Sequence, residues 1–222
     1  AHEHDLQVIA HIFYAEDARA LVEAGVDGFA HLARDVEMDD ELVAAIVEHD
    51  VFVMPNLAVS ERGRNADPPG WVDDPLLAES VSADVIARIR ESYVNRTPEA
   101  AARGTESFAA MLRSLKKLSD AGARLVLGAD TGIQDHIQGY MEHHELELLV
   151  EAGISPAKAI QIATSAPAEV LGVDTGLLAR GKRADFLVLD ANPMYGISAT
   201  RQISAVYLAG EELDRELLRS RW

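Results

Sequence analysis

The chain has 222 residues, 48% of them hydrophobic, and a formal net charge of −17, because its 37 acidic residues outnumber its 20 basic ones. This length and apolar content suit one large domain or a domain and a half with a real core. So acidic a surface repels nucleic acid and anionic membranes, so neither is an expected partner. The absence of cysteine excludes disulfides and thiolate zinc sites, and no apolar run reaches the ~18 residues of a membrane helix. We therefore expect a cytoplasmic protein.

The first quarter of the chain alternates between two kinds of apolar pattern. Short apolar runs predict strands, and apolar residues at helical spacing predict helices between them. The predicted order is strand 6–11, helix 15–24, strand 26–31, helix 41–49 and strand 51–57. Short connections in this order are typical of a parallel sheet with right-handed crossovers.

The middle of the chain interrupts and then resumes this rhythm. Residues 58–82, rich in Pro, Asp and Gly, predict a long loop, which is either a lid over a substrate or an irregular excursion. Helices are predicted over 83–95 and from Thr97-Pro98 to about Asp120, followed by a fourth strand at 124–129. A polar loop at 131–140 then leads to predicted helices at 141–152, 156–165 and 167–171.

The C-terminal segment has a different pattern. Alternating apolar residues and glycine turns at 176–190 and 203–213 predict antiparallel strands of a small separate sheet. The predicted domains are therefore 1–172 and 173–222.

Three predicted strands end in a residue of a type that commonly binds metal ions. His11, His31 and Asp130 end the runs LQVIAH, VDGFAH and RLVLGAD. The C-terminal ends of parallel barrel strands form one face, where active sites are built. Imidazole and carboxylate together suit a divalent transition metal, zinc first.

The number of strand–helix units predicts an incomplete barrel. Four units precede the C-terminal segment, whereas a (β/α)8 barrel has eight units in about 250 residues. Half a parallel sheet leaves apolar edges open. We expect the rest to come from another polypeptide, from a second copy in a homo-oligomer, or from the N-terminal half of a longer protein.

Several motifs follow one another along the chain, in the order VIAH, VDGFAHL, VFVMPNL, LVLGADTG and GLLARGKRADFLVLDANP. Together they resemble the C-terminal half of the amidohydrolase superfamily, in its imidazolonepropionase-like and prolidase-like branch. The resemblance implies an α/β fold holding strands 5–8 of a (β/α)8 TIM barrel plus part of a small β-sandwich. In the final segment, Gly181, Ala184, Asp185 and Asp190 fit the family's GxxADxxxxD pattern.

The resemblance also implies roles for individual residues. His11, His31 and Asp130 match metal ligands for one or two divalent ions, with zinc expected. The implied activity is hydrolysis of amide-type C–N bonds in a small molecule, such as a cyclic amide, a dipeptide or an acyl-amino acid. Asp130 would act as general base, and His31 would either bind a second metal or polarise the scissile carbonyl.

Four further residues are candidates for substrate binding. Asn56 ends the third strand, His136 and Tyr140 lie in the loop over the barrel mouth, and His144 lies on the helix that follows.

Two other interpretations remain open. The family's first-strand HxH pair is matched by letter at His2 and His4, but these precede the first strand, and a solvated loop is the simpler interpretation. Without upstream ligands, the chain could also be a non-catalytic half-barrel that binds a partner or itself. A Rossmann nucleotide site is disfavoured, because no GxGxxG follows a strand.

Overall fold

The computed structural model describes residues 1–133 and 136–221. Two parts of the chain form sheets. The strands are β1 (Ile9–His11), β2 (Gly28–Ala30), β3 (Phe52–Met54), β4 (Phe186–Leu189), β5 (Ile203–Leu208) and β6 (Glu211–Glu212). The α-helices are α1 (Ala15–Glu23), α2 (Asp40–Glu48), α3 (Leu57–Glu61), α4 (Pro75–Ser80), α5 (Ala83–Glu91), α6 (Pro98–Asp120), α7 (Tyr140–Glu151), α8 (Pro156–Ala163), α9 (Ser165–Leu171) and α10 (Arg215–Arg219).

The first sheet is parallel, as predicted, with the order β1-β2-β3. Its strands are shorter than the apolar runs that predict them. The fourth predicted strand, 124–129, joins β3 only through a parallel bridge between Val53 and Leu125. The N–H of Leu127, which points away from β3, donates to the carbonyl of Ile162 at 2.8 Å, at the end of α8. On the β3 side the next donor position is Pro55, which has no N–H, so the parallel pairing does not continue.

Helix capping explains where several helices begin. Asp39 accepts a hydrogen bond from the N–H of Leu42 at the start of α2, and Thr97 accepts one from Ala100 at the start of α6. Ser155 caps α8 in the same way. Each cap satisfies an N–H that the first turn leaves unpaired. In α6 and α8, proline occupies the first helical position, where its missing N–H costs nothing.

The prediction of a long loop over 58–82 is wrong. This segment contains α3, α4 and 3-10 turns at Arg62–Arg64 and Gly70–Asp73. Asp74 caps α4 by accepting from the N–H of Leu76 at 2.9 Å, and Pro75 follows at the first helical position. The turn at Gly63 packs directly on α6 at Gly104, where a side-chain Cβ would overlap the Gly63 carbonyl.

The core lies between the parallel sheet and the helices that cover it. Phe29 is fully buried on the sheet and belongs to the same hydrophobic core as Leu42 and Ile46 of α2 and Leu115 of α6. Apolar side chains at the edge strand, in contrast, are exposed to solvent. Leu6, Val8 and Ile9 in and before β1 are 61%, 39% and 50% exposed. The sheet is therefore covered by helices but open along β1.

The second sheet is antiparallel, as the alternating pattern predicts, with the order β4-β5-β6. Its last two strands are joined by Ala209 and Gly210, which both have positive φ. Positive φ at both central residues is the requirement of a type I′ hairpin turn. Among residues 1–133 and 136–221, no helix combines the length and apolar character needed to cross a membrane.

Candidate functional site

Three residues at the ends of the parallel strands adopt strained backbone conformations. His31 follows β2 with φ 84°, Asn56 lies two residues after β3 with φ 48°, and Asp130 follows the 124–129 segment with φ 51°. Left-handed conformations cost most non-glycine residues roughly 1–2 kcal/mol, and Asn and Asp enter them more readily than His does. Such strain persists only where surrounding structure imposes it, and it concentrates at functional sites. The shared location and the shared strain mark this edge of the sheet as the candidate site.

The predicted metal ligands lie next to one another at this edge. The rings of His11 and His31 meet edge to face with centroids 4.4 Å apart. The Nε2 atom of His31 is 3.8 Å from Oδ2 of Asp130. Within the described parts of the chain, no three His, Asp or Glu side chains form a group that could by itself hold a metal ion. The donor chemistry suits zinc, while the arrangement as it stands is a partial ligand set.

The environment of His31 keeps its imidazole neutral. Burial lowers the pKa of His31 to about 4, with further contributions from the Arg34 and His11 charges, while Asp130 opposes the change. Nη2 of Arg34 lies 3.2 Å from Nδ1 of His31. A neutral imidazole is the form that binds a metal ion. Burial therefore favours the neutral form that a ligand role requires, and the Arg34 contact makes Nδ1 the acceptor of this imidazole.

Two of the predicted substrate-binding residues lie close to the strand ends. The side chain of Asn56 is buried and fits against Gly128, where a Cβ would overlap its Oδ1. His136 is also buried, and burial lowers its pKa, while its hydrogen bond to the carbonyl of Ala58 and the charge of Asp130 oppose the change. Gln134 and Asp135, in the predicted 131–140 loop, lie outside the described residues.

The other two predicted substrate-binding residues line a separate recess. The hydroxyl of Tyr140 donates to Oδ2 of Asp74 at 3.0 Å, and the ring of Trp71 lies 6.0 Å from both Tyr140 and His144. The recess, of about 490 Å³, is lined by none of the three predicted metal ligands. The structure thus divides the predicted substrate residues into two places, and their binding roles stay predictions.

A buried ionic cluster supports this recess. Nε2 of His144 lies 2.6 Å from Oε2 of Glu61, and its Nδ1 lies 3.2 Å from Glu147. Burial alone would lower the pKa of His144, but the hydrogen bonds to Glu147 and Glu61 outweigh it and raise the pKa to about 9. Arg64 pairs with the same Glu61 at 2.7 Å. The cluster joins α3 to α7 through opposite charges.

Sequence reasoning missed Glu145, which is fully buried on α7. Its carboxylate accepts hydrogen bonds from the N–H groups of Leu57 at 2.8 Å and Ala58 at 2.7 Å. It therefore holds the first turn of α3, directly after Asn56. A sequence signal existed, because Glu145 falls at helical spacing among the apolar residues Met141, Leu148 and Leu149. An acidic residue inside an apolar helix face predicts a buried partner.

Comparison with known proteins agrees with this architecture. The amidohydrolase family profile matches residues 1–213. An adenine deaminase of Ligilactobacillus salivarius is 27% identical over 219 residues, covering 91% of this chain and 35% of its own. One of Methanothermobacter thermautotrophicus is 38% identical over 79 residues, covering 36% of this chain and 14% of its own.

Solved structures show the same fold over nearly the whole chain. A Xaa-Pro dipeptidase with bound methionine superposes with a TM-score of 0.69 at 23% identity, covering 96% of this chain and 46% of its own. A candidate prolidase from Bifidobacterium longum gives a TM-score of 0.69 at 28% identity, covering 97% and 48%. The chain thus spans less than half the length of each of these relatives. On the match of the family profile, the chain belongs to the amidohydrolase family.

Proposed function

We propose that this chain is the C-terminal half of a metal-dependent hydrolase that cleaves amide-type C–N bonds in a small molecule. The observation that carries the proposal is the adjacency of His11, His31 and Asp130 at the strand ends of an amidohydrolase fold. Relatives named as adenine deaminases and a Xaa-Pro dipeptidase favour chemistry at C–N bonds. Within that class, a cyclic amide, a dipeptide or an acyl-amino acid is the proposed substrate.

The proposed architecture is strands 5–8 of a (β/α)8 barrel over residues 1–172, with part of a β-sandwich over 173–222. Two open surfaces support it. The edge strand β1 exposes apolar side chains, and so does the second sheet, where Leu187 and Leu208 are 47% and 49% exposed. A parallel edge of this kind is normally covered or continued by another strand. The partner we propose is an N-terminal half of the barrel, on the same polypeptide or on another copy.

In the proposed site, His11, His31 and Asp130 hold part of the coordination shell of one or two divalent ions, zinc first, and the remaining ligands come from the other half. When bound, such an ion lowers the pKa of a coordinated water toward ~7 and so supplies a nucleophile at neutral pH. Asp130 accepts the proton of the attacking water and passes it to the leaving nitrogen. Its side chain is 45% exposed, which leaves it accessible to water and to a substrate.

The second candidate function is a non-catalytic binding module. The partial ligand set among the described residues is the observation that favours it. Metal content separates the two candidates, because the hydrolase must carry stoichiometric metal and the module need not.

The test uses the full-length protein and two matched histidine variants. His11→Ala is expected to abolish hydrolysis and lower the bound metal measured by mass spectrometry, while circular dichroism stays unchanged. His4→Ala, in an exposed 3-10 turn, is the control and is expected to retain both. Full turnover in His11→Ala, or a metal-free wild-type protein without activity on any C–N substrate, would refute the hydrolase.

A further inference from the structure

Hydrogen bonds to two neighbouring segments hold the backbone of Arg34 beside the candidate site. Its backbone N–H donates to the carbonyl of Phe13 at 2.8 Å, just beyond β1, and its carbonyl accepts from Oγ of Ser107 at 2.5 Å, on α6. The guanidinium lies over the ring of Phe13 at 4.4 Å and contacts Nδ1 of His31 at 3.2 Å. The Phe13 ring in turn meets His11, with centroids 4.6 Å apart. The cation therefore touches the predicted ligands, directly or through one ring.

The charge of Arg34 has no acidic partner among the residues that the structure describes. No carboxylate there lies within ion-pair distance of its guanidinium, and its buried Nε donates to no acceptor. Arg64 offers a comparison inside the same molecule. Its guanidinium also stacks on an aromatic ring, that of Phe108 at 4.3 Å, but it pairs with both Glu61 and Glu151. Arg96 and Arg215, which are also partly buried and have no ion pair among the described residues, donate to backbone carbonyls, whereas the Nε of Arg34 donates to no acceptor.

This arrangement is costly unless something else supplies the negative charge. A partly buried, unpaired cation loses hydration without gaining a Coulomb partner. Costly charges of this kind concentrate where ligands bind.

We propose that Arg34 binds a carboxylate of the substrate beside the scissile bond, so that the preferred substrates are C–N compounds with a free carboxylate, such as acyl-amino acids and dipeptides. The inference rests on the proposed function, which places hydrolysis at His11, His31 and Asp130. Because Arg34 contacts His31 itself, the bound carboxylate lies close to the reacting carbonyl.

The chemistry of the pocket favours a carboxylate over a phosphoryl group. The planar guanidinium fork matches the two oxygens of a carboxylate. One cation balances the one negative charge of a carboxylate. A dianionic phosphate would need a second cation within a strongly acidic protein.

The experiment compares acid and amide forms of the same compounds on the metal-loaded full-length protein. The panel contains N-acetyl amino acids and Xaa-Pro dipeptides, each with its C-terminal carboxamide, and the measured quantity is the acid-to-amide ratio of kcat/KM. The variants are Arg34→Met, Arg34→Lys and, as control, Arg113→Met, an exposed arginine paired with Glu37. Isothermal titration calorimetry measures binding of the same pairs.

A charge-assisted hydrogen bond is worth roughly 10- to 100-fold in binding. Arg34→Met is expected to lower the acid-to-amide ratio of kcat/KM by about this factor, because the amides lack the carboxylate that Arg34 binds. Arg34→Lys keeps the positive charge but loses the paired N–H donors of the guanidinium. Its acid-to-amide ratio is therefore expected to lie between those of wild type and Arg34→Met. Arg113→Met is expected to match wild type.

Several results would overturn the assignment. One is a wild-type enzyme without preference for the acids, and another is an Arg34→Met variant that loses activity on acids and amides equally, which would place Arg34 in support of His31 alone. If Arg34→Met fails to fold, an unchanged ratio in Arg34→Lys has the same meaning. Stronger competition by inorganic phosphate than by acetate would also refute a carboxylate site. If no compound is hydrolysed but the acids still bind preferentially, and only with Arg34, the proposed function fails while the anion site stands.

Discussion

Glu145 offers a quantitative test of how the candidate site is held together. Burial raises the pKa of this carboxyl from its ordinary 4.5 to about 7, and the N–H groups of Leu57 and Ala58 offset the effect only in part. The folded protein therefore holds this proton more tightly than the unfolded chain does. The stability that Glu145 contributes is present below pH 4.5 and is lost as the pH rises toward 7.

The expected size follows from the pKa difference. A tenfold change in proton affinity is worth about 1.4 kcal/mol, so the full loss is about 3 kcal/mol, of which about 2 kcal/mol falls between pH 5 and pH 7.5. Glu145→Gln cannot ionise and keeps the shape of the side chain. We therefore expect the variant to gain about 2 kcal/mol relative to wild type between these two pH values.

Urea unfolding at pH 5 and pH 7.5 measures this double difference, in which the other titrating groups cancel to first order. Glu169→Gln, at an exposed position on α9, is the control for a glutamate change outside the core. A Glu145→Gln difference that is the same at both pH values, or that shifts in favour of wild type as the pH rises, would refute the reasoning.

Three further predictions follow from the same region. Gly128→Ala is expected to cost about 1–3 kcal/mol in thermal unfolding because its Cβ would overlap the Asn56 side chain, and a penalty that persists in the Asn56→Gly background would contradict this cause. The raised pKa of His144 implies about 3 kcal/mol of folding stability, which is fully present below pH 6.5 and is lost as the pH rises through about 9. The stability advantage of wild type over His144→Gln is therefore expected to shrink between pH 6 and pH 10 in urea unfolding. A constant advantage would argue against the His144–Glu61 pair as its source. Removing divalent metal from the full-length protein by chelation is expected to abolish hydrolysis, and zinc is expected to restore it; activity that survives complete metal removal would exclude the proposed chemistry.

Local features of the sequence predicted much of the fold. The helix start at Thr97-Pro98 and the apolar spacing of the helices act within a few residues, so one window of sequence contains their physical cause. The same holds for the alternating pattern of the antiparallel sheet. The helices within 58–82 were not predicted. Asp74-Pro75 is a local helix-cap signal there, but the many Pro, Gly and Asp residues of this segment are typical of loops.

The candidate site could be predicted only in part. The positions of His11, His31 and Asp130 at strand ends follow from the order of strands and helices, and the structure brings these residues together. The separation of Tyr140 and His144 into another recess could not be predicted, since their partners Asp74 and Glu61 are 66 and 83 residues away in the chain.

The sequence by itself determined the helices outside 58–82, the parallel β–α order and the residue types at the strand ends, because hydrophobic periodicity and capping are local. Only the tertiary structure decided that the N–H of Leu127 turns to Ile162, that Glu145 holds the turn after Asn56, and that Arg34 lies beside His31 without a carboxylate among the described residues. The physical reason is that burial and charge pairing depend on which distant segments meet, and a buried charge acquires its pKa and its role only from those neighbours.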